Sequence, residues 1–177
     1  MKIEYIKVGY LETNCYIIEK QGDVLVIDPG DEIEKIMNAI GERNVIGIII
    51  THHHPDHVGA MSELAKRMDA KVYDIHNMRE GKMKIGDFSF ECIYAPGHKE
   101  DEIAIYFEEE KALFAGDFLF RGTIGRCDLP GGCFEDMLAS IENILNYPDN
   151  TFIYPGHGEA TTMREERRSL ESYRKHF

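Results

Sequence analysis

The sequence predicts a mixed α/β (α+β) fold in which helices cover both outer faces of two packed sheets, a four-layer αββα sandwich. Short alternating or wholly apolar segments recur along the chain, and helical stripes with one apolar side fall between them. The first three strand-like segments arrive with no helix among them, which argues against a doubly wound parallel sheet. With 177 residues, 43% of them hydrophobic, the chain has the size and apolar content of one domain spanning residues 1–177.

The expected elements follow in order. Residues 2–8, 13–19 and 23–27 read as strands, and Asp28-Pro29-Gly30 stops the third. Ile33, Ile36, Met37 and Ile40 form one stripe of a short helix. Val45–Ile50 is a continuous apolar strand, the signature of burial on both faces. Val58, Met61, Leu64, Ala65 and Met68 share one face of a second helix, and Lys71-Val72-Tyr73 reads as a strand. Phe88, Phe90, Cys92 and Tyr94 alternate with Ser89, Glu91 and Ile93, as in a one-sided strand. Strands at 103–107 and 111–115 follow, with Glu108-Glu109-Glu110 before Lys111 suiting a hairpin turn. Phe134, Met137, Leu138, Ile141, Ile144 and Leu145 make the clearest amphipathic helix. A strand at 151–154 precedes a closing helix begun by Thr162-Met163-Arg164-Glu165, a capping-box pattern.

Composition narrows the function. The formal net charge is −12 and no Lys/Arg run offsets it, so the surface repels polyanions and a nucleic-acid partner is not expected. No apolar stretch approaches the ~20 residues that span a bilayer, and the alternating start Met1–Val8 is no signal peptide. A cytoplasmic protein acting on a small molecule, with no membrane partner, is the expectation; the oligomeric state stays open. Cys15, Cys92, Cys127 and Cys133 form no C-x-x-C pair, and reduced thiols are the default. Cys15 and Cys92 lie in apolar strands and read as core residues, while Cys127 and Cys133 flank a Gly-rich loop and read as structural.

The chemistry concentrates at Thr51-His52-His53-His54-Pro55-Asp56-His57, directly after the buried strand. Histidine is the commonest metal ligand and aspartate the usual oxygen partner of a borderline divalent ion. His52 and His54 are two residues apart and point to one side of an extended backbone, while Asp56 and His57 come where the next helix starts. The same construction recurs: apolar strand, tight turn, candidate ligand. It appears in Ile93-Tyr94-Ala95-Pro96-Gly97-His98, in Leu113-Phe114-Ala115-Gly116-Asp117 and in Phe152-Ile153-Tyr154-Pro155-Gly156-His157. Strand ends at one sheet edge converge, so His52, His54, Asp56, His57, His98, Asp117 and His157 are expected to meet. That set suffices for two divalent metal ions sharing a carboxylate. His53, His76 and His176 read as a spacer, a loop residue and a tail residue.

The order T-H-x-H-x-D-H, P-G-H, G-D and P-G-H-G resembles the metallo-β-lactamase superfamily of dinuclear metal hydrolases. The resemblance runs from Asn14-Cys15-Tyr16 and Asp28-Pro29-Gly30 to Gly158. It implies an αββα sandwich with metals at one edge, His52, His54 and His98 on the first ion, and Asp56, His57 and His157 on the second. It further implies a bridging Asp117 and an Asp28 that orders the site loops. The run Gly116-Asp117-Phe118-Leu119-Phe120, Gly122–Arg126 and Asp128-Leu129-Pro130-Gly131-Gly132 is similar to the glyoxalase II (hydroxyacylglutathione hydrolase) branch, as is Tyr154–Gly158 with Thr161-Thr162. Two departures stand out. Pro96-Gly97-His98 continues with Lys99-Glu100-Asp101-Glu102 where branch members often have T-x-G-S, and only one helix follows His157 where full-length enzymes carry a glutathione-holding helical domain.

The expected activity is a metal-dependent thioesterase on a hydroxyacylglutathione-like substrate. Two ions about 3.5–4 Å apart share a water, lower its pKa towards ~7, and present a bridging hydroxide to a polarised carbonyl. Asp56 is the candidate catalytic residue, orienting that nucleophile. A thiolate, with parent pKa near ~8.5, leaves without strong acid help. Zinc suits the ligand set, and iron or manganese fit as well. Lys99, Arg121 and Arg126 are the cations nearest the expected pocket; local acids are the expected partners of Lys99 and Arg121. Lactone, β-lactam or phosphodiester hydrolysis would use the same residues, although the charge disfavours RNA. A persulfide dioxygenase, which resembles this branch, would use a single iron at the first group. Flavin-linked diiron relatives carry Glu where His54 stands and fit worse. A non-catalytic binding module is disfavoured because all seven candidate ligands are present.

Overall fold

A computed structural model of the chain describes residues 1–174; His176 lies outside the described residues. Strands β1 (Lys2–Val8), β2 (Thr13–Lys20) and β3 (Asp23–Ile27) lead to helix α1 (Ile33–Ile40), strand β4 (Asn44–Ile49), helices α2 (Pro55–Val58) and α3 (Met61–Met68), and strand β5 (Val72–Tyr73). Then come β6 (Gly81–Ile85), β7 (Phe88–Tyr94), β8 (Ile103–Phe107), β9 (Ala112–Gly116), β10 (Leu119–Phe120) and β11 (Thr123–Ile124). Helix α4 (Phe134–Ile144), β12 (Phe152–Pro155), β13 (Thr161–Thr162) and α5 (Met163–Arg174) complete the order.

The strands form a sheet in the order β1-β2-β3-β4-β5, a second in the order β13-β12-β9-β8-β7-β6, and a small β10-β11 pair. Antiparallel hairpins build β1-β2-β3, whereas β3, β4 and β5 run parallel through the intervening helices. The second sheet is antiparallel except for β12, which lies parallel to β9.

Three apolar layers hold this arrangement. Between the sheets, Ile18, Leu25 and Ile27 meet Phe88, Phe107 and Phe114. On one outer side Val24, Val26 and Ile48 pack with Ile36 and Ile40 of α1 and Leu64 of α3. On the other, Ala104, Leu113 and Ile153 pack with Met137 and Ile141 of α4 and Leu170 of α5. Each fully buried large aliphatic or aromatic side chain stabilises the fold by about 1.5–3 kcal/mol. The result is the αββα sandwich expected from the pattern. Val24-Leu25-Val26-Ile27 is buried throughout because its two faces serve two different layers.

Three local differences have physical causes. The expected second helix is two helices, because Ala60 N–H donates to the Pro29 carbonyl (3.0 Å) and the break at Gly59 lies against the Gly30 backbone. Strand β6, unassigned from the sequence, is the sheet edge, and its Lys82 and Lys84 leave only Met83 and Ile85 to face the core. The pair β10-β11 is too short for a periodic signal. The capping box is present: Thr162 Oγ1 accepts the Glu165 N–H at 3.3 Å. Cys15 and Cys92 are buried core residues, and all four thiols are free. No helix among the described residues is long and apolar enough to cross a membrane.

Candidate metal centre

The candidate ligands lie where both sheets end. His52, His54, Asp56 and His57 follow β4 of the first sheet; His98, Asp117 and His157 follow β7, β9 and β12 of the second. The sequence places them at one sheet edge, but the site draws on two, because the sandwich brings the carboxyl ends of β4, β9 and β12 to one rim. The Asn14 N–H donates to the Gly156 carbonyl (2.7 Å) and the Ile103 N–H to the Thr51 carbonyl (2.9 Å), joining the layers there.

All seven candidates are brought together. His54 Nδ1 lies 3.0 Å from His52 Nε2 and 2.9 Å from His98 Nε2, so three rings turn nitrogens to one point. Asp56 Oδ2 lies 3.5 Å from His57 Nε2 and 3.2 Å from His157 Nε2, forming a second group. Asp117 stands between them, with Oδ1 3.4 Å from His57 Nε2 and Oδ2 3.6 Å and 3.5 Å from the Nε2 atoms of His98 and His157.

The surroundings fix which ring nitrogen faces inward. His98 Nδ1 is 2.8 Å from the Arg126 carbonyl and His157 Nδ1 is 3.0 Å from the Leu11 carbonyl, acceptors that hold the proton on Nδ1. His57 Nδ1 is 2.9 Å from Asp28 Oδ2. Asp28 also accepts the Thr51 N–H at Oδ1 (2.8 Å) and the Thr51 hydroxyl at Oδ2 (2.6 Å). Its left-handed backbone, φ 52°, aims the carboxylate at both. Asp28 therefore occupies the ordering role that the resemblance implies.

This donor set fits divalent ions. His57 Nε2 and Asp117 Oδ1 are buried and have no hydrogen-bond partner, yet they face each other. Three converging imidazole nitrogens and two carboxylates are ligands for zinc, iron or manganese. The electrostatics of the cluster point the same way. Burial pushes the Asp117 and Asp56 carboxyls up, but hydrogen bonds from His157 and charge on His57 outweigh it and hold both well below the usual carboxylate range. Burial pushes His57 and His157 down, but Asp28 and Asp117 raise the first, and Asp117 and Asp56 carry the second up to about 9. Burial and neighbouring histidines lower His52 and His54, leaving neutral nitrogens for a cation.

Four contributors carried no assignment from the sequence or only a partial one. Thr13 Oγ1 donates to Asp56 Oδ2 at 2.9 Å. Thr51 bonds Asp28, and Asn14 holds the loop that bears His157. Glu102 is fully buried: Oε1 accepts the Asp117 N–H at 2.8 Å and lies 3.4 Å from His52 Nδ1. Burial and the Asp117 charge push its carboxyl well up. The segment Lys99–Glu102 thus divides: Glu100 faces solvent, Lys99 pairs with Asp101 (2.9 Å), and Glu102 enters the core. Arg126 is bound twice by Asp128 (2.7 Å each) and Arg121 pairs with Glu159, so none of the three expected cations is free of an acid. His53 and His76 lie in loops outside the cluster, as read from the sequence, and come together beside Asp74. A hollow of about 350 Å³ lined by Tyr10, Leu11, Asp31, Pro55 and Asp56 adjoins the second group.

Comparison with known proteins places this geometry. The family model described as the metallo-beta-lactamase superfamily matches residues 8–77 and 79–157. A Haemophilus influenzae protein named hydroxyacylglutathione hydrolase GloC is 31% identical over 96% of each chain. A solved B3 metallo-beta-lactamase, BLEG-1, superposes with a TM-score of 0.90 at 29% identity, over 94% of this chain and 97% of the other. TTHA1623, solved in a di-iron-bound form, gives 0.85 at 32% identity, over 93% and 97%.

Proposed function

The chain belongs to the metallo-beta-lactamase superfamily of metallo-hydrolases, and from that premise we propose that it hydrolyses a thioester of the hydroxyacylglutathione type at a two-metal centre. The observation that carries the reading is the position of Asp117, within 3.6 Å of both histidine groups. His52, His54 and His98 would hold one ion and Asp56, His57 and His157 the other, with Asp117 shared. Bound there, divalent ions supply Lewis acidity, which acidifies water and polarises a carbonyl.

The protein's own groups do the rest. Asp56, pinned by the Thr13 hydroxyl and held ionised, accepts a hydrogen bond from the attacking water and so sets its direction. Asp28 keeps the Nδ1 proton on His57, and the Arg126 and Leu11 carbonyls keep it on His98 and His157. The exposed Tyr10 and Leu11 beside the hollow offer apolar contact to a substrate's organic portion. A thiolate leaving group needs no protein acid, in keeping with a cluster whose carboxylates are held ionised. The GloC relative, matched over nearly its whole length, supports the thioester among the bonds this machinery could cleave. So does the run Gly125-Arg126-Cys127-Asp128-Leu129-Pro130-Gly131-Gly132 beside His98. The second group, Asp56-His57-His157, favours a dinuclear hydrolase over a single-iron dioxygenase, and the di-iron neighbour keeps iron as an alternative to zinc.

The test is thiol release from S-lactoylglutathione by metal-reconstituted protein, with metal content measured on the same sample. Release that falls at least ~100-fold in Asp117→Ala, with two ions per wild-type chain, is the expected result. Fully metallated protein that releases no thiol would overturn the glutathione-thioester reading.

A further inference from the structure

We propose that His53, Asp74 and His76 form a separate divalent-metal site on the outer side of the β4–α2 loop, taking a borderline ion such as Zn²⁺. One ligand atom from each residue falls within 4.8 Å of the others. His53 Nε2 is 3.3 Å from Asp74 Oδ2, and the His53 and His76 rings lie 5.6 Å apart.

Two independent features prepare this set for a cation. The first is the orientation of His53. Its Nδ1 is 2.6 Å from Asp101 Oδ2, which also accepts the His53 N–H at 3.2 Å, and Lys99 holds the other Asp101 oxygen at 2.9 Å. A carboxylate fixed on Nδ1 is the usual support of a metal-bound histidine, and it directs Nε2 at Asp74. The second is the turn after β5. Asp74 Oδ1 accepts the His76 N–H at 2.9 Å, and Asn77 closes the turn on the Val72 carbonyl at 3.0 Å. That leaves Asp74 Oδ2 facing His53. Two imidazoles and a carboxylate make the donor set of open zinc sites.

An ion here would tie the loop carrying His52 and His54 to the turn that follows β5. Asp101 then has a purpose: it belongs to this outer site, not to the main cluster. The inference does not depend on the main cluster's activity.

The test is zinc content of the full-length, metal-stripped chain after equilibrium dialysis against Zn²⁺. His76→Ala and Asp74→Asn should each bind one equivalent less than wild type. His54→Ala/Asp117→Ala/His157→Ala, which breaks both groups of the main cluster, should retain one equivalent that disappears when His76→Ala is added. Wild-type zinc content in either single variant overturns the inference and leaves His53 as an imidazole paired with acids. If the main cluster takes no zinc, His54→Ala/Asp117→Ala/His157→Ala changes nothing while His76→Ala still removes one equivalent; that result supports this site and overturns zinc as the metal of the main cluster.

Discussion

A histidine can serve as a metal ligand only if the right nitrogen carries the proton, and the group bonded to its other nitrogen decides which one does. Asp28, the Arg126 carbonyl and the Leu11 carbonyl make it for His57, His98 and His157. For His52 the nearby groups are the Thr51 hydroxyl at 3.1 Å and Glu102 Oε1 at 3.4 Å. Glu102 also takes the Asp117 N–H, so a single buried carboxyl touches a candidate ligand from each sheet. Replacing it with glutamine keeps an acceptor at that place, whereas alanine leaves a buried N–H without one, which costs about 1–3 kcal/mol. Glu102→Ala should therefore be less stable than wild type by that margin in urea denaturation, with a lower midpoint, and bind metal more weakly. Glu102→Gln should stay within ~1 kcal/mol. Equal stability of Glu102→Ala and wild type would show that the Asp117 N–H finds another partner.

At the scale of elements, the motif after β4 depends on a close crossing of two backbones. A methyl group on Gly30 would collide with the Asp56 carbonyl, and one on Gly59 with the Gly30 carbonyl. The loop after β3 and the α2–α3 break are thus pressed together beneath Asp56 and His57. Gly59→Ala should cost about 1–3 kcal/mol by overpacking, read as a shift in the urea midpoint at unchanged slope, and should loosen the second metal group. An unshifted midpoint would mean that the two backbones separate freely. This crossing also explains what the sequence could and could not convey. His52 and His54 were legible because alternation in an extended segment is local, and the P-G-H and G-D turns were legible because each follows an apolar strand. The break between α2 and α3 was not, since the apolar stripe from Val58 to Met68 keeps its period while the cause lies in Pro29 and Gly30. Glu102 was equally hidden: an acid before Ile103 carries no mark of burial until β9 lies beside it.

Across the whole molecule the candidate site exists only while the two sheets keep their relative position, because no single sheet holds all seven candidate ligands. Strand β2 is the strap. Tyr16 Oη donates to the Pro155 carbonyl at 2.6 Å, and Asn14 Nδ2 donates to the Pro155 and Gly158 carbonyls at 3.0 Å each. His157 lies between those two carbonyls in sequence. Tyr16→Phe leaves Pro155 one donor and should cost about 0.5–1.5 kcal/mol; Asn14→Ala strips Gly158 of its Asn14 bond and should cost about 1–3 kcal/mol. The double variant removes both of these donors from the Pro155 carbonyl, so the two losses should exceed additivity by roughly 0.5–3 kcal/mol. Asn14→Ala should also weaken the metal group containing His157 more than the group containing His98, which is anchored through Arg126. Urea denaturation of the four proteins, with metal titration of each, measures both effects. Strict additivity would mean that the Pro155 carbonyl finds another donor when both side chains are gone, and equal weakening of the two metal groups in Asn14→Ala would mean that this side chain does not position His157.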